Sequence, residues 1–246
     1  MVCKDSNVDT LINATYPNIS MRQSSSYFAE RALLSSRNAD VKELNDLLLA
    51  QFPGDPQAFQ AVNNIDNESG ASDPNGIPLN VAYPPECLAA LDTSGLPLSN
   101  LQLKIGAPIM ILRNLDPTNG LCNGSRAIII NMTQRVLQVR LLTGDFDGQE
   151  MLIPRTSLNS TQDQDFPFIL TRRQFPICLA FAMTINKSQG QSMKHVGIDL
   201  RVPPFTHGQL YVALSRCTSK SRIKVLLPAD AKQKTTNIVY NGVLLP

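Results

Sequence analysis

The sequence predicts an α/β layer interrupted by a small antiparallel β-barrel, and three observations predict it. Short apolar runs of β character crowd residues 101–154, separated by turn chemistry. After residue 176 helix-like and strand-like stretches alternate, the pattern of a layered α/β fold. A strand-like and a helix-like stretch also precede the barrel, over residues 27–51, so the barrel is read as an insertion.

The elements follow in order. Residues 27–36, YFAERALLSS, read as a short strand. Residues 40–51 read as a helix, with Asp40 and Glu43 spaced like a capping box and Val41, Leu44, Leu47 and Leu48 on one face. Pro53 and Gly54 end it. Residues 53–100 carry seven prolines among clustered Asn, Asp and Gly, which predicts a long loop with little regular structure. In the barrel, LQLKIGAPIMILRNL, AIIINM, VLQVRLL and MLIP are strands. Asn119–Gly120, Asn123–Gly124 and residues 143–148 are the turns between them. Then come a helix over about 178–189, a strand over 195–200, a helix over 207–217 and a strand over 223–227. The expected organisation is thus a segment 1–26, a first α/β part 27–100, the inserted barrel 101–175, the rest of the layer 176–228 and a tail 229–246.

Composition bounds the function. Of 246 residues, 43% are hydrophobic and 17% charged, enough to bury a core, and no apolar run reaches the roughly 18 residues of a membrane span. The start, MVCKDSNVDT, lacks the pattern of a secretion signal. Cys3, Cys87, Cys122, Cys178 and Cys217 are widely spaced, fitting reduced thiols rather than a zinc site or a disulfide framework. These readings lead us to expect an intracellular protein with no membrane partner and no bound metal held by protein ligands.

The formal net charge of +2 divides unevenly. Residues 1–100 carry a balance of −7, residues 101–150 +1, residues 151–228 +7 and the tail +1. A positive excess in the later part suggests a surface for a polyanion, although solvated faces also produce such a skew.

Within AMTINKSQGQS, a helical reading puts Leu179 and Met183 inward, with Thr184, Lys187 and Ser188 together on another face and Gly190 as the cap. Two hydroxyls and an ammonium beside turn amides suit a phosphate backbone, and equally suit an ordinary polar helix end. Within HGQLYVALSRC, Leu210, Leu214 and Cys217 share an apolar face, with Gln209 and Arg216 on the polar side. Arg216 either favours the negative end of its helix or reaches a phosphate across a cleft. His195 and His207 read as structural. Arg113 and Asn114, with Asp116 and the stretch 120–124, read as a tight barrel corner. Arg172 and Arg173 read as a solvated edge or part of the basic surface.

Taken together, LKIGAPIMILRNLDPTNGLCNGSR, FPICLAFAMTINKSQGQS and GQLYVALSRCTS resemble the C-terminal half of Helitron-type and petite-integration-frequency (Pif-type) DNA helicases of superfamily 1B. NVDTLINATYPNI and ERALLSSRNADVKELN extend the resemblance to about residues 8–228. It implies that 27–51 and 176–228 form a second RecA-like lobe, a P-loop NTPase-like helicase fold, with the barrel inserted. It also implies that residues 184–190 are motif V, with Thr184, Asn186, Lys187 and Ser188 on single-stranded DNA and Gln189 and Gly190 towards the nucleotide. Residues 209–216 would be motif VI, with Gln209 at the ATP site and Arg216 as the catalytic finger on the γ-phosphate. Arg37 would sit in motif IV. Many relatives carry His where this chain has Asn186.

No GxxxxGK occurs in the 246 residues. The resemblance therefore implies that ATP and Mg²⁺ are bound mostly by a first RecA-like lobe outside this sequence. The chain would be the C-terminal portion of a 5′→3′ helicase, inactive by itself, acting in the nucleus or in mitochondria in repair, recombination or telomere maintenance. The alternative is a non-catalytic single-strand-binding or adaptor module, or an inert remnant. Base-stacking aromatics are few for such a module: the chain has 6% aromatic residues and no tryptophan. In the basic part they are chiefly Phe166, Phe168, Phe175, Phe181, Phe205 and Tyr211.

Overall fold

A computed structural model describes residues 2–3, 5, 7–66, 82–91, 93, 95–160, 168–230, 234–240 and 242. The chain divides into two compact units, one of residues 1–53 with 179–246 and one of residues 54–178.

The first unit is built on a parallel sheet. Its strands are β1 (Arg31–Ser35), β12 (Ala182–Thr184), β13 (His195–Asp199) and β14 (Ile223–Leu226), in the order β12-β1-β13-β14. Three helices accompany them near the N-terminus: α1 (Val8–Thr15), α2 (Ser25–Ala29) and α3 (Asn38–Gln51). The predicted strand over 27–36 is shorter than expected, because Ser24 caps a helical turn over its first residues by accepting from the Tyr27 amide at 3.3 Å. Helix α3 starts two residues early. Its N-cap is Arg37, whose side chain makes no capping bond, so the expected Asp40–Glu43 box does not form. Its buried face is Asp40, Leu44, Asn45, Leu48 and Leu49, with Val41 and Leu47 only partly covered.

Aromatic rings fill the space beside this sheet. Phe28, Phe52 and Phe181 meet at centroid distances of 5.5–6.1 Å, and the buried Tyr16 joins them edge-on while its hydroxyl donates to the Phe181 carbonyl at 2.7 Å. Such rings bury large apolar areas and gain about 0.5–1.5 kcal/mol per pair from their tilted contacts. Helix α1 lies over β13. Gly197 in β13 permits that approach: a Cβ there would run into Thr15 Oγ1, Leu33 Cδ2 and Leu11 Cδ1. Gly197→Ala is therefore expected to cost about 1–3 kcal/mol as an overpacked core. A lowered midpoint in thermal unfolding would show it, and an unchanged midpoint would refute the close approach.

The second unit begins at Gly54, well before the expected residue 101, because the supposed loop contributes regular structure. Strands β2 (Gln57–Gln60) and β3 (Val62–Asp66) and helix α4 (Pro85–Ala90) lie in it. Residues 67–81, 92 and 94 of that stretch, together with Phe166, lie outside the described residues. The remaining strands are β4 (Asn100–Leu103), β5 (Pro108–Ile111), β6 (Arg126–Met132), β7 (Val136–Leu141), β8 (Glu150–Pro154), β9 (Thr156–Asn159), β10 (Ile169–Gln174) and β11 (Ile177–Leu179). They are hydrogen-bonded as three sheets, in the orders β11-β5-β6-β7-β8, β3-β10-β9 and β2-β4. β5 through β8 form an antiparallel meander, with a register shift between Ile129 and Asn131. The Arg113–Gly124 region is a corner, closed by the Asn114 side chain accepting from the Asn123 amide at 2.8 Å.

β10 carries its alternation with polar residues inside. Leu170, Arg172 and Gln174 are buried while Arg173 is exposed. Arg172 is thus no solvated edge: only 1% of it is exposed. Its guanidinium donates to the carbonyls of Leu88, Leu91 and Pro97 and to Asn63 Oδ1, all at 2.7–3.0 Å. Gln174 Nε2 likewise donates to the carbonyls of Phe59 and Ser99. The carbonyls of Leu88 near the end of α4, of Leu91, Pro97 and Ser99 beyond it and of Phe59 in β2 thus receive side-chain donors.

Candidate functional site

In a parallel α/β sheet the C-terminal ends of the strands share one edge, where ligands characteristically bind. In the first unit three strands end there in chemically active segments. β1 runs into Ser36 and Arg37, β12 into the turn 185–190, and β13 into Asp199 and Arg201.

The segment 178–189 is not a helix. It is the end of β11, then β12, then a tight turn, so the helical face proposed for Thr184, Lys187 and Ser188 does not exist. β-Branched and apolar residues before Asn186 complete the sheet instead, with Ser35 paired to Thr184 and the Ile185 amide donating to the Ser35 carbonyl at 3.0 Å. Ile185 is fully buried and anchors the turn. Thr184 Oγ1 accepts from the Lys187 amide, and the Ser188 amide donates to the Thr184 carbonyl. Ser188 is fully buried and its hydroxyl donates to the Ile185 carbonyl at 2.7 Å. Asn186, Lys187, Gln189 and Gly190 are exposed, and Thr184 is half-buried. Gly190 has φ 82°, a left-handed conformation that suits glycine and closes the turn.

Strand β12 lies at the sheet edge, and Asn45 of α3 secures it. Asn45 Nδ2 donates to the Ala182 carbonyl at 3.0 Å and Asn45 Oδ1 accepts from the Ala182 amide at 2.9 Å. Sequence patterning treated α3 as a plain amphipathic helix and could not single out this residue.

Helix α5 (Gln209–Ser215) starts at Gly208, φ 74°. Its buried positions are Gln209 and Ala213, followed by Cys217, while Leu210 and Leu214 are only partly covered. Gln209 is therefore buried rather than on a polar face. Its Oε1 accepts from the Phe205 amide, and its buried Nε2 has no hydrogen-bond partner among the described residues. Arg216 folds back on the turn after β12. Its Nη1 donates to the carbonyls of Ser188 (3.3 Å) and Gln191 (3.0 Å), its Nε to Val212 and its Nη2 to Ser215 Oγ. Four of five guanidinium N–H groups are occupied, leaving one on Nη2. The two sequence motifs thus meet through one side chain.

Arg37 stands apart from that contact. It forks onto Asp40 at 2.7 and 3.0 Å, and Ser35 Oγ donates to the same carboxylate. The Arg37 hydrogen bond, opposed by burial, holds the Asp40 carboxyl below its ordinary range. Arg201, which sequence reasoning missed, bridges Asp199 (1% exposed) and Glu43 of α3. Those hydrogen bonds push its guanidinium further into the charged range. Nothing local distinguishes it; only the end of β13 places it at this edge. No group of three or more potential metal ligands occurs among the described residues. Asp40, Asp199 and Glu43 are each engaged by an arginine.

His207 accepts from the Tyr240 amide and stacks on its ring, a structural role. Phe168, Phe175 and Phe181 are buried, whereas Phe205 and Tyr211 are 57% and 75% exposed and so available to stack on a base. Among the described residues no helix is long and apolar enough to cross a membrane.

Comparison with known proteins matches residues 86–132 to the family model described as the DNA helicase Pif1 2B domain. ATP-dependent DNA helicase PIF1 of Homo sapiens is 35% identical over 198 residues, which is 78% of this chain and 26% of that protein. ATP-dependent DNA helicase Pif1 of Bdellovibrio bacteriovorus is 35% identical over 126 residues, 51% of this chain and 27% of that protein. The crystal structure of Bacteroides Pif1 bound to ssDNA superposes with a TM-score of 0.60 at 25% identity, covering 97% of this chain and 49% of that one. A Bacteroides complex with ADP-AlF3 and ssDNA gives 0.59 at 25% identity, covering 97% and 49%. The chain thus spans about a quarter of these curated relatives and about half of these solved chains.

Proposed function

We propose that this chain, which resembles the Pif1-type DNA helicases in sequence and in fold, is the second-lobe portion of an ATP-dependent 5′→3′ DNA helicase. Residues 1–53 with 179–246 would be the RecA-like lobe and residues 54–178 its inserted β domain. Single-stranded DNA lies against the turn 184–190. Its exposed Asn186 and Lys187 meet the phosphates, and the backbone of Thr184 and Ser188 fixes the shape of the turn. A point charge on a flexible stem suits sequence-independent backbone contact.

The observation that carries the reading is the Arg216 contact with the Ser188 and Gln191 carbonyls. Arg216 would meet the γ-phosphate of ATP held chiefly by a first lobe, with Gln209, Gln189, Gly190 and Arg37 lining the near side. Bound ATP supplies the phosphoryl group and its developing negative charge. The unpartnered Gln209 Nε2 and the remaining Nη2 proton of Arg216 are donors suited to such a group, and none of the engaged carboxylates here suits Mg²⁺. Arg216 cannot turn Nη1 towards a phosphate and keep both carbonyls of the turn. A phosphate taken by the remaining Nη2 proton leaves both carbonyls held, so one guanidinium joins the nucleotide side to the turn that meets DNA.

Two substitutions test this. Lys187→Ala is expected to weaken single-stranded DNA binding and to reduce the slope of log K against log salt by about 0.7, the share of one phosphate. With a P-loop-bearing first lobe added, DNA-stimulated ATPase is expected to appear and to be lost in Arg216→Ala, by about 10³-fold or more. DNA-stimulated ATPase by the chain without that lobe, lost in Arg216→Ala, would overturn the division of labour.

A further inference from the structure

Two arginines at the C-terminal edge of the parallel sheet fork onto carboxylates, and they differ in what they leave open. Arg201 uses both edges of its guanidinium. Nε and Nη2 donate to the buried Asp199, and Nη1 and Nη2 donate to Glu43. Arg37 uses one edge only. Its Nε and Nη2 donate to Asp40 at 3.0 and 2.7 Å, and among the described residues Nη1 and the outer Nη2 proton have no partner. The Arg37 side chain is 49% exposed.

Asp40 is fixed where Arg37 is not. It is buried, and its Oδ2 also accepts from Ser35 Oγ at 3.2 Å, which ties it to the end of β1. Ser36 Oγ donates to the Val202 carbonyl at 3.1 Å and joins the same turn to the segment after β13. Against burial, the Arg37 hydrogen bond first, then the Ser35 hydroxyl and the Arg201 charge, keep the Asp40 carboxyl below its ordinary range. A guanidinium held side-on in this way presents two parallel N–H groups on its Nη1–Nη2 edge, a fork that matches two oxygens of one phosphate. Because Asp40 already offsets its charge, the pair attracts little at long range and has few counterions to release. Such a group orients one phosphate rather than gathering a chain of them. Glu43 fills the equivalent edge of Arg201, which therefore ties β13 to α3 and offers no fork to a phosphate. We propose that Asp40 is a positioning residue for the nucleotide: it holds Arg37 side-on while the open edge of Arg37 takes the terminal phosphate as a second fork. That role rests on the nucleotide reading of this sheet edge, and it excludes an exchange in which phosphate displaces Asp40.

The test uses the full chain with isotope-labelled arginine, followed by its side-chain N–H resonances and titrated with tripolyphosphate. Arg37→Lys and Arg216→Lys assign the two signals. The Arg37 Nη resonances are expected to shift and saturate, while its Nε–H keeps the paired position that it has without the anion. Asp40→Asn removes the charge and sets an amide N–H against one arm of the fork. Exchange of the Arg37 Nε–H with water is then expected to be about tenfold faster, the effect of losing a charge-assisted hydrogen bond. The Arg37 response to tripolyphosphate is expected to be lost in that variant and the Arg216 response kept, whereas a merely structural Asp40 would alter both arginines alike or neither. The wild-type titration decides the matter even where Asp40→Asn does not fold. An Arg37 Nε–H that leaves its paired position on adding tripolyphosphate overturns the proposal. So does an Arg37 that stays unchanged while Arg216 responds, an outcome that leaves the nucleotide reading standing. So does an Arg37 that responds to a single-stranded oligonucleotide at equal phosphate concentration and not to tripolyphosphate. No response from either arginine overturns the nucleotide reading together with the role of Asp40.

Discussion

Arg172→Ala is expected to destabilise the 54–178 unit by about 3–5 kcal/mol, a large effect for one side chain. The guanidinium serves the carbonyls of Leu88, Leu91 and Pro97 and the side chain of Asn63. Each buried acceptor stripped of its donor costs about 1–3 kcal/mol, offset in part where water enters the void. Arg172→Lys is expected to recover less than half of the loss, because an ammonium cannot span acceptors that a planar fork reaches. Urea unfolding measures the total, and amide hydrogen exchange locates it. Faster exchange across residues 82–100 with little change in β1 and β13 is the expected signature. Equal loosening of both units would mean that Arg172 acts other than through these carbonyls.

Asn45→Ala is expected to cost about 2–4 kcal/mol and to weaken single-stranded DNA binding, although Asn45 lies in a helix. Its amide satisfies both backbone groups of Ala182 on the open side of an edge strand. Without it, a buried N–H and a buried C=O lose their partners, and β12 no longer holds the turn 185–190 in place. Asn45→Asp separates this account from a packing effect. Aspartate has nearly the same volume and still accepts from the Ala182 amide, but its carboxylate faces the Ala182 carbonyl. It is expected to be at least as damaging as alanine at pH 7. Near-normal stability and DNA affinity in Asn45→Asp would refute the double hydrogen bond as the cause. The expected order of DNA affinity is wild type, then either Asn45 variant, with the salt slope unchanged because every phosphate keeps its cation.

Much of the local structure was legible because it rests on nearest-neighbour chemistry. The runs AIIINM, VLQVRLL and MLIP form strands within a residue or two, between glycines that take left-handed turns, such as Gly124 and Gly144, whereas LQLKIGAPIMILRNL divides at the left-handed Gly106 into β4 and β5, which ends at Ile111. The stretches 195–200, 207–217 and 223–227 were assigned to their proper types for the same reason. The segment 178–189 was misassigned because a short apolar run followed by a Gly-closed polar turn has no period of its own. Pairing with β1 decided that it is a strand, and burial of Ile185 and Ser188 decided the shape of its turn. The stretch 53–100 was misjudged for the opposite reason. Its prolines do mark breaks, yet β2 and β3 form because distant strands β4 and β10 supply their ladders.

The sequence by itself determined the element types outside residues 53–100 and 178–189, the asymmetry of charge and the two motifs that carry the family resemblance, since each depends on residues close together in the chain. Only the tertiary structure decided what those residues touch. It turned Arg172 from an apparent surface charge into the buried donor for the carbonyls of Leu88, Leu91 and Pro97, and it placed Gln209 inside rather than on a polar face. It brought Arg201 to the same sheet edge as Arg37, and it closed Arg216 onto residues 188 and 191. Hydrogen-bond partners of buried polar groups are set by which backbone groups lack a ladder, and that deficit exists only once the strands have paired.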